Sequence, residues 1–328
     1  MNNYFKSITV RVMLAALAYT LLPLHAGAQG QWPSRPVNIV VPFVPGGSND
    51  NIARVLAAKL GGRLGQPVVV DNKGGGGGTI GTDFVARSSA DGYTFLFVSG
   101  SIATNVASGK RLPFDLMKDL EPIGGVAATP FVIVVGNEVK ASTLKEFMGL
   151  AAAKPKSINY GTAGIGGINH LGTELFASAA KVQLTHIPYK GIGPAFNDLM
   201  GSNLQMLLPT LASVAPHIQG GKMRGLAVTS MKRSPMLPEI PTANESGLPG
   251  FELEVWFGLL GPAGMPPGVV KRLNNELNTV LALPEFKEIL AREGATPKPS
   301  TPAEFGNLIR SDIVRWTRLI KDTGIQIE

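Results

Sequence analysis

Short apolar runs recur along the chain at 37–43, 68–70, 94–98, 131–135, 184–189, 204–208 and 226–229. Runs of this length without strict alternation predict strands buried on both faces. The segments between them carry helical spacing. Ile52, Val55, Leu56 and Leu60 mark one helix, closed by Gly61, and Ile168, Leu171, Leu175, Phe176 and Ala179 mark another. Thr143-Leu144-Lys145-Glu146 reads as a capping box ahead of Phe147 and Leu150. Strands alternating with helices predict an α/β fold built on parallel sheets.

The C-terminal third changes character. After the apolar stretch 251–260 come two helices opened by proline, about 267–283 and 284–293, then a third opened by the capping box Thr301-Pro302-Ala303-Glu304. Its apolar positions Phe305, Leu308, Ile309, Ile313, Trp316 and Ile320 share one face. Such a tail is expected to pack back on the first domain. That makes lobe 1 discontinuous, 29–125 plus 255–328, with lobe 2 at 126–254. The chain then crosses near Gly124–Thr129 and near Phe251–Trp256, which defines a hinge and implies closure around a ligand.

The chain has 328 residues and a formal charge of +7. Its first 28 residues look like a secretory signal peptide: Lys6 and Arg11, an apolar stretch at 12–24, then Ala26-Gly27-Ala28 with the cut after Ala28. The apolar stretch is too short to span a membrane, and no later segment reaches the length required. There is no cysteine, so neither a disulfide nor a lipidated N-terminal cysteine is available. The expected compartment is the periplasm, with no lipid anchor. The leader holds two of the surplus positive charges, leaving +5, and the basic residues are scattered. Nucleic-acid binders concentrate their charge into a stripe, so no nucleic acid is expected; a monomer is. Roughly 300 residues suffice for an ample core and usually divide into two domains.

Three strand-like runs break into glycine turns that open helices: Pro42 to Asp50 through Gly46 and Gly47, Thr162 to His170 through Gly164 and Gly166, and Tyr189 to Pro194 through Gly191 and Gly193. A helix start presents unpaired N–H groups and a partial positive charge, which suits an anion. Ser48 is placed to N-cap the first helix. Asp50 either caps loop N–H groups or meets a ligand ammonium. His170 is either a packed core histidine or a ligand contact, and Tyr189 sits at a strand end where it can line a cleft. Lys190 is either solvated or in contact with the ligand, and Asp198 reads as a brace. The candidate ring also takes in Phe43 and the Ser99–Ser101 loop with Ser101, and Ser99, Thr129 and Thr210 join it only through their positions at strand ends, where α/β crevices form. The run Gly74–Gly78 is either a flexible connection or a close backbone approach to the ligand.

Catalytic signatures are missing. Asn169 stands where a dinucleotide fingerprint needs its third glycine, Gly109-Lys110 and Gly221-Lys222 lack the rest of a phosphate loop, and no Gly-x-Ser-x-Gly elbow occurs. His170, His186 and His217 are far apart in the chain and have no cysteine partners, so no metal or cofactor is expected. These features favour a protein that holds a small carboxylate. An exported hydrolase acting on a carboxylate ester and a sensory receptor docked on a signalling protein stay open as alternatives.

The order Phe43-x-Pro45-Gly46-Gly47-x-x-Asp50, Asp91-Gly92-Tyr93-Thr94, Gly161-Thr162-x-Gly164-x-Gly166 with His170-Leu171, and His186-Ile187-Pro188-Tyr189-Lys190-Gly191-x-x-Pro194 with Asp198-Leu199 resembles the Bug family. These are the periplasmic solute receptors of tripartite tricarboxylate transporters. The resemblance continues through 226–235, 240–250 and 258–264. It implies a type II periplasmic-binding-protein fold of two α/β lobes, with the ligand cleft between them. It also implies a carboxylate gripped by loop N–H groups and water, whether an acidic amino acid, a di- or tricarboxylate or an aromatic acid. The implied partners are the integral-membrane subunits of such a transporter. The chain departs from the family at Gln205, where aspartate is usual, at Gly167, near which serine is common, and at Gly75, where proline is usual.

Overall fold

A computed structural model describes residues 32–189, 191–325 and 327. It divides the chain into Met1–Ser34 and Arg35–Glu328, and the fold below is that of the second unit. The signal peptide read at 1–28 and the candidate Lys190 lie outside the described residues.

The first sheet begins with β1 (Val37–Val41), followed by α1 (Ser48–Leu64), β2 (Val68–Asn72), α2 (Thr79–Ala86), β3 (Thr94–Ser99) and α3 (Ser101–Ala107). Of the boundaries that differ from expectation, two have a clear local cause. β1 stops before Pro42, which has no N–H to extend the ladder. α1 runs past Gly61 to end at Gly65, whose φ of 71° is the left-handed cap that glycine supplies without strain. β1 pairs in parallel with both β2 and β3, as local strand–helix–strand units dictate.

β4 (Leu120–Pro130) then runs into β5 (Val132–Val135), so the apolar run 131–135 is the second half of a longer extended segment. The second sheet adds α4 (Leu144–Ala153), β6 (Asn159–Thr162), α5 (Ile168–Ala180), β7 (Thr185–Pro188), α6 (Ile192–Met200), β8 (Met206–Leu207), α7 (Leu211–Gln219) and β9 (Arg224–Val228). The chain returns through β10 (Glu254–Pro262), α8 (Pro267–Ala282), α9 (Pro284–Arg292), β11 (Thr296–Pro297) and α10 (Pro302–Thr323).

The strand orders are β11-β4-β10-β3-β1-β2 and β7-β6-β8-β5-β9. Neither sheet is wholly parallel, contrary to the sequence expectation. β10 is antiparallel to β3 and β4, and β5 is antiparallel to β8 and β9. The cause is topological: the segments that pass between sheets enter the new sheet from the end opposite to its βαβ strands.

Thr229 ties the two passing segments together. It is fully buried; its hydroxyl accepts from Phe131 N–H at 2.9 Å and lies 2.5 Å from the Leu253 carbonyl, to which it donates. Leu253 N–H in turn bonds the Thr229 carbonyl. α10 packs on β4 and α3 and also reaches α5 on the other sheet. Its capping box forms as the sequence predicts, Thr301 and Glu304 bonding reciprocally. At α4 the pattern is displaced by one residue, because Glu146 accepts from Ser142 N–H while Thr143 accepts from Glu146 N–H.

Candidate functional site

In the first sheet β1 and β3 are neighbours, and their C-terminal ends carry Phe43, Gly46, Gly47, Ser48, Asp50, Ser99 and Ser101. The N-cap of α1 is Gly47, in extended geometry, so Ser48 is the first helical residue and not the cap. Asp50 and Asn51 N–H bond the Gly47 carbonyl, which leaves the Ser48 and Asn49 amides at this end with no intrahelical acceptor. Gly46 has φ +93°, which only glycine adopts without strain, and a Cβ there would meet nothing within 4 Å.

Asp50 is buried and saturated by the protein itself. Its carboxylate accepts from Gly46 N–H (3.0 Å), Asn72 Nδ2 (2.9 Å) and Arg54 Nε (3.0 Å). The Arg54 guanidinium, aided by these donors, holds its pKa down to about 2 against the cost of burial. The structure therefore supports the bracing alternative for Asp50. Asn72 also donates to the Phe43 carbonyl, which pins the loop from β2. The glycine run 74–78 forms a tight turn with φ positive from Gly75 to Gly78, and a Cβ on Gly74 would press on the Phe43–Val44 backbone at 3.2 Å. Its close approach is to the first loop. Ser99 and Ser101 bond each other, hydroxyl to hydroxyl, at 2.9 Å.

In the second sheet the parallel strands β6, β7 and β8 end at Thr162, Pro188 and Leu207. This edge carries Thr162, Gly164, Gly166, His170, Tyr189, Gly191, Gly193 and Thr210. Gly164 and Gly166 have φ of +138° and +75°. Thr162 Oγ1 donates to the Gly164 carbonyl (3.1 Å) and accepts from Gly164 N–H (3.3 Å), and Gly166 N–H donates to His170 Nδ1 (3.1 Å). His170 is thus the packed, hydrogen-bonded core histidine of the two alternatives, and it fixes the loop from behind. Tyr189 N–H bonds the Thr162 carbonyl, joining the second and third loops, and its hydroxyl donates to Asp198 (2.5 Å). Burial and the Asp198 carboxylate push the Tyr189 pKa up to about 12. Gly191, with φ +121°, caps α6, and exposed Gly193 lies in its first turn. Thr210 caps α7 and bonds Ser213.

Thr129 stands apart. Its hydroxyl is buried and donates to the Gly294 carbonyl at 2.8 Å, toward α9. The two edges are brought near one another by α3 and α5, the helices that follow Ser99 and Gly166, which pack together.

Sequence reasoning missed His186. Although 16 positions from His170, its ring stacks on that of His170 with centroids 3.9 Å apart, and its Nε2 lies 2.6 Å from Thr162 Oγ1. The signal was present in the pairing of β6 with β7, which sets Tyr160 opposite His186. Burial, with the neighbouring ring acting on His170, pushes both histidines down to about 4. Among the described residues no group of three metal-ligating side chains occurs. Gln205, the departure in β8's approach, accepts from Asn159 N–H and so serves as a strand brace.

A cavity of about 770 Å³ lies elsewhere, between β10 and α10, lined by Trp256, Phe257, Phe305, Leu308, Asp312 and Arg315. Its polar groups are engaged: Trp256 Nε1 donates to Asp312 (2.6 Å), Arg315 to the Glu252 carbonyl (2.8 Å), and Lys298 pairs with Glu254. Its lining includes none of the residues of the three glycine turns.

The family model for the tripartite tricarboxylate transporter family receptor matches residues 52–325. Protein BugT of Bordetella pertussis is 38% identical over 328 residues, covering 99% of this chain and 100% of that protein. Among solved structures, periplasmic binding protein BugD aligns with TM-score 0.75 and 38% identity over 90% of this chain and 99% of its own. R. palustris Rpa4515 with adipate aligns with TM-score 0.79 and 34% identity over 90% and 99%. The two mixed sheets joined by paired crossings are accordingly those of a periplasmic-binding-protein fold, and the relatives are receptors, not enzymes. The chain belongs to the tripartite tricarboxylate transporter receptor family.

Proposed function

We propose that this receptor captures a small dicarboxylate between two lobes in the periplasm and delivers it to the integral-membrane subunits of a tripartite transporter. The lobes would be 29–125 with 255–328, and 126–254, moving as a monomer about the Phe131 and Leu253 crossings after removal of residues 1–28. The observation that carries this reading is the set of three glycine turns opening α1, α5 and α6 at the C-terminal strand edges of two sheets. The adipate bound by Rpa4515 is of the chemistry such a site would take. The ligand contacts would come from Phe43, Gly46, Gly47, Ser48, Ser99, Ser101, Thr162, Gly164, Gly166, Tyr189, Lys190, Gly191, Gly193 and Thr210. Asp50 and His170 would act through the loops they brace.

Magnitudes favour two carboxylates. Each helix start contributes about 0.3–1 kcal/mol to holding an anion, and up to about 2 in a partly buried site. Three give roughly 1–6 kcal/mol, whereas micromolar affinity needs about 8. The rest must come from directed hydrogen bonds, about 1.5–3 kcal/mol each to a charged group. A ligand with an anionic group at each end engages both edges. The test is a thermal-shift series with adipate, succinate, citrate, glutamate, benzoate and the dication cadaverine. A cognate acid at a hundred times its Kd raises stability by about 2.7 kcal/mol. Stabilisation by cadaverine and by none of the acids would overturn the proposal.

A further inference from the structure

We infer that His186 is a positioning residue for the second loop: stacked on His170, it holds Thr162, Gly164 and Gly166 in the ligand-ready conformation only while both rings are neutral, so that acid releases the loop. This rests on the proposed carboxylate site.

The hydrogen positions follow from the partners. Gly166 N–H points at His170 Nδ1, so that nitrogen must be bare and the proton of neutral His170 must sit on Nε2. Thr162 has one hydroxyl proton, which goes to the Gly164 carbonyl, and one lone pair is taken by Gly164 N–H. With the Thr162 proton assigned to the Gly164 carbonyl, the remaining lone pair faces His186 Nε2 at 2.6 Å and we assign His186 as the donor there. The rings lie 13° from parallel. Tyr160 of β6 lies beside both rings, 5.0 Å from His186 and 6.4 Å from His170, and its hydroxyl donates to Glu174 on α5, one turn beyond His170. The titratable groups facing His170 are thus His186 from β7, Tyr160 from β6 and Glu174 from its own helix. Ile327 packs against Gly166 from the C-terminal tail.

Protonation acts differently on the two rings. A proton on His170 Nδ1 would set two N–H groups head to head and break the bond that orders Gly166. A proton on His186 leaves its bond to Thr162 intact but places a cation against the buried His170 ring at stacking distance, in a half-buried position. Both rings have folded pKa values lowered from the ordinary 6.5 to about 4, so the ordered loop is fully favoured above about pH 6.5 and loses that advantage as pH falls toward 4.

Two measurements decide the matter. In ligand-free protein labelled at histidine and glycine, NMR should show the His170 and His186 ring nitrogens titrating well below pH 6, with the Gly164 and Gly166 amides moving at the same midpoint. Rings titrating near 6.5, or glycine amides indifferent to them, would overturn the inference whether or not any ligand has been found. The second measurement uses adipate as probe at pH 7.5. His186→Gln, which keeps a donor for Thr162, should bind within about threefold of wild type, and His186→Leu at least tenfold more weakly. The pH dependence of binding should be shallower in His186→Gln. Equal losses in the two variants, or wild-type affinity that rises as pH falls, would contradict a positioning role. Failure of wild type to bind any carboxylate would sink the receptor reading and leave the NMR result standing by itself.

Discussion

Gly46 and Gly164 carry conformations that a side chain resists, yet neither is crowded: a Cβ on Gly46 meets nothing, and one on Gly164 approaches only the Tyr189 carbonyl at 3.9 Å. Valine at either position should therefore act through backbone angle, costing roughly 1–3 kcal/mol of local strain. Each variant is expected to fold, with circular dichroism unchanged, and to lose adipate binding by isothermal titration. Retained affinity in both would show that these turns do not touch the ligand. Asp50 gives a pH prediction. Its folded pKa of about 2 lies below the ordinary 3.8, so its contribution is present above about pH 3.8 and is lost as pH falls through about 2. Asp50→Asn should flatten the acid end of the stability curve in that window without altering the earlier loss due to the histidines. The need for glycine at 46 and 164 was legible from the chain alone, as was bracing by Asp50. The partnership of His186 with Thr162 was not, because only the pairing of β6 with β7 brings the two together.

Helices fared better than sheet direction. The capping box at Thr301, the N-cap at Thr143 and the prolines at 267 and 284 mark helix starts because capping is a local matter of a few bonds. The seven-residue α3 is too short to show a period, and α7 carries Pro216 within it, so neither was read. The antiparallel placement of β10 depends on contacts with β3 and β4 more than a hundred positions distant, which no local pattern encodes. That strand also carries the most closely packed glycine among the described residues. An ideal Cβ on Gly258 would run into the Phe305 ring, whereas one on Gly268, at the start of α8, would meet nothing within 4 Å. Gly258→Ala is expected to destabilise by about 1–3 kcal/mol through overpacking, a melting-point fall of roughly 2–4 °C per kcal/mol. Gly268→Ala should be neutral or slightly stabilising. Equal melting points for the two would mean that α10 does not press on β10 as described.

Two segments pass between the sheets, and Thr229 bonds both, so it would pin the hinge proposed above. Thr229→Val keeps the shape but strands the Phe131 N–H and the Leu253 carbonyl, at a cost of about 1–3 kcal/mol. The variant should melt lower while still closing on ligand, seen as a decrease in radius of gyration by small-angle scattering. Loss of closure without loss of stability would assign Thr229 a different part. The first passage into the second sheet comes after Pro130, where β4 ends, and not at 124–129 as the sequence pattern suggests. The link from α10 across to α5 was not legible in the sequence, since one apolar face on a helix does not say how many elements it covers. The most direct measurement is a crystal structure with adipate bound. Its carboxylate oxygens should lie about 3 Å from amides of both the Gly46–Asn49 and the Thr162–Gly167 turns. Adipate seated instead in the cavity beside Trp256 and Asp312, with those turns empty, would contradict capture between the two sheet edges.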